Sequence, residues 1–189
     1  NFLFFSQSHS AIDNIKPFCG GNLYYLNNSS QIDRIEIQNN KSWLRNLFNI
    51  YRDKNKNISA KFKKNFKANL IITDKELNEC SLPGRVRVNG DQKDHISIKE
   101  GIFISSMDIR IKDNLNSYND FKLLLPSTRM YKSEIFITTL FSQLGFLSPY
   151  TSMLKMKYFE KEVDYLFYEN LGKEFLERNN KIEGPIIRG

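Results

Sequence analysis

The chain has 189 residues, 40% of them hydrophobic, with 15 Phe and 9 Tyr, enough apolar material for one substantial domain and too much for an intrinsically disordered chain. Its 28 Lys and Arg against 21 Asp and Glu give a formal net charge of +7, which favours nucleotide phosphates, nucleic acid, acidic glycans or membrane surfaces as partners; an AT-rich coding sequence, rich in Asn, Lys and Ile, explains the same excess with no partner. No apolar run approaches the roughly 20 residues of a membrane-spanning helix, and two cysteines, Cys19 and Cys80, leave one disulfide open while offering no CxxC or Cys/His cluster for zinc.

Residues 1–30 are poorly patterned and form an irregular N-terminal segment. Phe2-Leu3-Phe4-Phe5 reads either as the tail of a signal or anchor segment or as an ordinary strand, and Gly20-Gly21 and Asn27-Asn28-Ser29-Ser30 are turn signals. The first residue is not Met, and the terminal EGPIIRG has the look of a strand beginning. Both ends predict a fragment of a longer protein.

From residue 31 to 189 the pattern is that of one domain. Ile32, Ile35 and Ile37 alternate with charged residues over Gln31 to Gln38 and predict a strand. Asn39 or Asn40 caps a helix over about 41–52, with Trp43, Leu44, Leu47, Phe48 and Tyr51 as its apolar stripe. Residues 53–65 are a basic polar connection, which could contact phosphates but is of the kind usually solvated. Strands are expected over Phe66–Thr73, Pro83–Asn89, Ser106–Lys112 and Phe121–Leu125. In the last of these Phe121, Leu123 and Leu125 share one face, Lys122 and Leu124 the other. Pro126 stops that strand. Ser133 then caps a helix whose buried side is marked by Phe136, Leu140, Leu144 and Leu147, and Gly145 and Pro149 end it. Thr151–Phe159 and Glu162–Glu169 form a hairpin, and a final helix over about Gly172–Asn179 turns Phe175 and Leu176 inward. The predicted class is α+β, a mainly antiparallel sheet with packed helices.

Several constellations bear on chemistry. Arg85 and Arg87 lie on the face opposite Val86 and Val88; Arg110 and Lys112 oppose Ile109 and Ile111. Strands paired in register place these four cations on one face, which binds anions by charge-assisted hydrogen bonds or is simply the solvated outer face of a one-sided sheet. Asn89-Gly90-Asp91 favours a turn with positive φ. Lys122 on a strand, followed by Glu134 in the first turn of a helix, is the order in which a protein-kinase nucleotide lobe places its phosphate-contacting lysine and the glutamate that orients it; a solvated lysine and a dipole-complementing glutamate give the same pattern. Glu169 closes the last strand. His9 and His95 lack a Ser or Cys partner at triad spacing. Asp74, Glu76 and Glu79 lack calcium-loop spacing. The strand aromatics fall on apolar faces and are not interleaved with the arginines, which disfavours nucleic acid.

Five segments together resemble the CotH family of atypical secreted protein kinases: GRVRVNGD (84–91), SMDIRIKD (106–113), FKLLLPSTR (121–129), EIFITTLFSQLGFLSP (134–149) and DYLFYENLGKEFLERNN (164–180). The resemblance covers residues 66–189 in order, with FKLLLPSTR and LGFLSP its most specific parts. It implies a kinase-like nucleotide lobe that binds ATP with Mg and serves phosphoryl transfer to protein serines, in an extracytoplasmic or cell-envelope setting. Carried over, Lys122 is the phosphate-contacting lysine, Glu134 its helix partner, Gly90 the turn over the phosphates, and Glu169 the hairpin end leading to the hinge. The hairpin turn Glu160-Lys161-Glu162 lacks the family's Asn-Gly, and the loop after Gly90 lacks its small residues. No catalytic or metal-binding Asp motif is present, so catalytic residues are expected beyond Gly189 and the chain alone is expected to be inactive. The alternative is a non-catalytic surface protein that binds polyanions through Arg85, Arg87, Arg110 and Lys112.

Overall fold

The computed structural model describes residues 32–38, 41–75, 79–111, 119–158, 160–182 and 184. In chain order the elements are β1 (Ile32–Gln38), α1 (Lys41–Arg52), β2 (Phe66–Asp74), β3 (Glu79–Val88), β4 (Ile96–Lys99), β5 (Ile102–Ser105), β6 (Met107–Ile111), β7 (Asp120–Leu124), α2 (Lys132–Gln143), β8 (Thr151–Tyr158), β9 (Lys161–Glu169) and α3 (Lys173–Arg178).

Seven strands close into a barrel in the order β1-β2-β3-β6-β7-β9-β8, and β4 and β5 form a separate hairpin. The period-2 pattern of each strand decides which side chains enter. In β3, Cys80, Leu82, Val86 and Val88 point in while Arg85 and Arg87 point out. In β6, Met107, Ile109 and Ile111 point in; in β7, Phe121 and Leu123 do. Phe121 stacks on Phe167 with ring centroids 5.0 Å apart, and Trp43 meets Phe66 edge-on at 5.7 Å. Each large side chain so buried contributes about 1.5–3 kcal/mol. The interior also holds a polar chain: the Tyr158 and Tyr165 hydroxyls lie 3.0 Å apart, and Tyr165 donates to the Ser105 carbonyl at 3.1 Å. Helix α1 sends Trp43, Leu47 and Ile50 into the same core. Phe48 and Tyr51, expected in the buried stripe, are 42% and 55% exposed and meet Phe103 of β5 edge-on.

The expected α+β class, with packed helices and a kinase-like nucleotide lobe, is overturned. The strands do not lie in a half-covered sheet; they close on themselves, and only three helices accompany them among the described residues. The cause is β1. It pairs antiparallel with β2 and, through Arg34↔Lys155, Ile35↔Met156 and Glu36↔Lys157, parallel with β8. That seam removes both free edges.

The helix expected to pack by its apolar stripe does not. In α2, Phe136 and Leu140 are 68% and 41% exposed, and Leu144 and Leu147 beyond its end are 62% and 49% exposed. Its attachment is polar: buried Thr138 lies 2.5 Å from Thr151 of β8, hydroxyl to hydroxyl. Ser133 is not the cap; the residue preceding the helix is Tyr131, and no side-chain cap bond forms. The β4–β5 hairpin, a stretch to which no element is assigned from the sequence, turns through Glu100 and Gly101 at φ 50° and 82°. Cys80 is fully buried and disulfide-bonded; the chain's other cysteine, Cys19, lies outside the described residues, as do residues 1–30, Lys112 and His9. No helix among the described residues is long and apolar enough to cross a membrane.

Candidate phosphate-binding site

Barrel register creates a row of outward side chains across five strands. Arg87 of β3 stands opposite Asp108 of β6, Asp108 opposite Lys122 of β7, Lys122 opposite Tyr168 of β9, and Tyr168 opposite Thr151 of β8. Thr151 in turn meets Thr138 of α2. Lys122 therefore lies on the barrel face that carries the helix. It is half-buried, and its ammonium makes no hydrogen bond or ion pair with any described residue. Glu134 sits one turn before Thr138, whose hydroxyl donates to the Glu134 carbonyl at 2.9 Å. The Lys122–Glu134 ion pair is not formed.

At the Arg87 end of this row a polar cleft of about 490 Å³ opens between the Asn89–His95 loop and Arg129. Its floor is built around Asp108. Arg87 donates to one Asp108 oxygen from Nε at 3.1 Å and from a terminal nitrogen at 2.7 Å. Asn89 Nδ2 donates to the other at 2.7 Å. With its acceptors occupied this way, Asp108 is a fixed strut. The loop is held by backbone bonds to the 53–65 connection, Ile58 N–H to the Asp91 carbonyl at 2.7 Å and Lys93 N–H to the Lys56 carbonyl at 3.2 Å. Lys63 from that connection ion-pairs with Asp91, which holds the Asp91 carboxyl below its ordinary range.

Gly90 is required twice over. Its φ is +99°, and a Cβ there would stand 2.1 Å from the His95 ring. The imidazole lies flat against the turn because no side chain intervenes. Burial holds His95 below the ordinary histidine range; Asp94 opposes this and Arg129 reinforces it. The imidazole is thus neutral near pH 7, with Nδ1 buried and unbonded.

The cleft lining carries three cations, Lys63, Arg87 and Arg129, and three carboxylates, Asp91, Asp94 and Asp108. Lys63 and Arg87 are spent on Asp91 and Asp108. Arg129 and the adjacent Lys122 are the cations left without an ion-pair partner among the described residues. Two such cations beside a neutral imidazole suit a phosphate group better than a long polyanion.

The other expected residues fall elsewhere. Arg85 and Arg110 face each other in register on the outer surface, but Arg110 binds Asp120 at 2.8 Å and Arg87 binds Asp108. The cation cluster is interleaved with carboxylates that the same register delivers. Glu169 is 2% exposed and serves the fold: it accepts from Tyr150 N–H at 2.8 Å and from the Arg178 guanidinium. Burial raises its carboxyl above the ordinary range against the pull of these donors. Lys173 pairs with Glu177, not Glu169. From the sequence His95 is noted only as lacking a triad partner and Lys63 only as part of the basic 53–65 connection, while Asp108 and Arg129 are not singled out; the Asn89-Gly90-Asp91 turn is the signal nearest to them. Among the described residues no group of three or more His, Cys, Asp or Glu side chains is arranged to hold a metal ion. Comparison with protein-family models and with curated protein sequences gave no match.

Proposed function

We propose that the chain binds the phosphates of a nucleotide on the outer barrel face beside the Gly90 turn, as the nucleotide-binding part of a phosphotransferase of the kind the CotH resemblance implies. The observation that carries this is Lys122: a half-buried lysine with no ion pair to any described residue, directly across the β6–β7 ladder from Asp108 of the cleft floor. An ammonium held partly out of water and left unpaired is a standing site for an anion. Arg129 supplies a second charge from the 3₁₀ turn after β7, and Gly90 lets the backbone approach a phosphate closely. The proposal is of binding; transfer requires carboxylates that these residues do not assemble.

The test is titration of the chain with a fluorescent ATP analogue, with and without Mg²⁺, for wild type, Lys122→Ala, Arg129→Ala and the control Arg85→Ala. Loss of a charge-assisted bond worth about 1.5–3 kcal/mol weakens binding roughly 10- to 100-fold in the first two variants and leaves the control unchanged. Equal binding by wild type and Lys122→Ala would end the proposal.

A further inference from the structure

The apolar surface around α2 is built for burial and is not buried. Phe136, Leu140, Leu144 and Leu147 recur as the inner stripe of a helix does, yet all four are open to solvent. They belong to nine large apolar side chains between Met130 and Leu147 that are 41–79% exposed. At about 150–250 Å² per aromatic side chain and somewhat less per aliphatic one, this is roughly 1,000 Å² of exposed apolar surface, well above the 300–600 Å² patch of an ordinary monomer.

Three further observations say what covers it. First, the area matches the roughly 800 Å² that each partner contributes to a standard stable interface. Second, residues 135–154 contain no Asp, Glu, Lys or Arg. In a chain of net charge +7 this uncharged stretch lets two copies bring their ridges together without opposing like charges, and the charged residues of the adjoining groove, Lys99, Lys132 and Asp164, are of both signs. Third, the surface has both a ridge and a hollow. A groove of about 650 Å³ adjoins the head of α2, with an apolar wall of Ile104, Leu125, Met130 and Met153 and a charged margin of Lys99, Lys132 and Asp164. An isologous two-fold interface needs such self-complementarity, because each copy must supply both halves of every contact. The backbone at the junction of ridge and hollow is strained: Met130 and Tyr131 have φ of 50° and 56°, and their side chains are 79% and 62% exposed. Strain of this kind persists where surrounding structure enforces it and concentrates at functional positions.

We propose that this surface is a homodimer interface, in which a second copy of the chain packs its own α2 against this one about a two-fold axis, apolar ridge against hollow. It is separate from the phosphate site and does not depend on it.

Sedimentation or light scattering over about 1–100 μM, the upper end of the affinity range of standard-size interfaces, tests it. Wild type is expected to reach twice the 22.2 kDa chain mass. Phe136→Glu and, independently, Leu144→Glu are expected to raise the dimer dissociation constant by at least roughly 30-fold; both sites are exposed, so the thermal melt of the isolated monomer is expected to be retained, and should one variant fail to fold the other carries the test. Lys122→Ala is expected to dimerise as wild type, which separates this inference from nucleotide binding. Wild type that stays monomeric throughout, dimers that survive both substitutions, or monomers that bind neutral lipid vesicles through Phe136 overturn it.

Discussion

Replacing Gly90 by Ala tests the geometry of the cleft through two separable costs. The first is conformational: at φ +99° an alanine is forced into backbone space that costs about 1–3 kcal/mol. The second is steric. The new Cβ would fall 2.1, 2.2 and 2.7 Å from the Cδ2, Cγ and Nε2 atoms of His95, so the ring must leave its seat. His95 is only 16% exposed at the side chain, and losing its packing costs about 1–2 kcal/mol. Together these predict about 2–5 kcal/mol for Gly90→Ala, or a fall of roughly 4–20 °C in melting temperature for a domain of this size. His95→Ala alone should cost about 1–2 kcal/mol. The double variant, in which the methyl meets no ring, is then expected to be more stable than additivity allows by about 1–2 kcal/mol. Urea unfolding of the four proteins measures all terms. A Gly90→Ala protein as stable as wild type, or strict additivity in the cycle, refutes the contact between turn and imidazole.

Three other outcomes follow from the same structure. Glu169→Ala removes a 2% exposed carboxylate from between Arg178 and the Tyr150 amide and is expected to cost about 3 kcal/mol by urea unfolding, since breaking a buried pair strands its partner; a loss under about 1 kcal/mol contradicts the anchoring role. Because burial lowers the His95 pKa, the unfolded chain binds a proton that the folded chain refuses below about pH 6.5. Stability contributed by the neutral imidazole is therefore complete above that pH and falls as pH drops toward the folded pKa; the melting temperature should decline below about pH 6.5 and do so less steeply in His95→Gln. Reduction of the disulfide at Cys80 is expected to lower stability by about 2–4 kcal/mol, and an unchanged melt in reductant contradicts a structural bridge there.

Much of the fold was legible where period alone decides. Helix α1 and strands β2, β3, β6, β7, β8 and β9 lie within a few residues of their expected positions, because alternation of Val, Ile and Phe with charged residues fixes the inward face. The Glu100-Gly101 turn between ISIK and IFIS was a readable hairpin signal of the two-residue class. Closure of the barrel was not legible: the β1–β8 ladder has three residue pairs and no local mark, since parallel pairing is set by the rest of the sheet. The apolar stripe of α2 was visible, but a stripe records that burial is needed and not where the covering surface lies. At the site, Lys122 and Gly90 stood out by residue type. Asp108 in SMDIRIK sits on the same face as Arg110, yet its capture of Arg87 depends on strand register. His95 reaches Gly90 only through the loop's tertiary course, which no spacing rule encodes.

The seam between β1 and β8 also dictates when folding can finish. Ile35 must find Met156, a partner 121 positions downstream, so every earlier intermediate carries two raw strand edges. During synthesis the β2–β3 hairpin can form early, but the barrel stays open until β9, which joins β7 to β8, has left the ribosome. The interval between those events is when this chain is most exposed to pairing with a neighbour in place of itself.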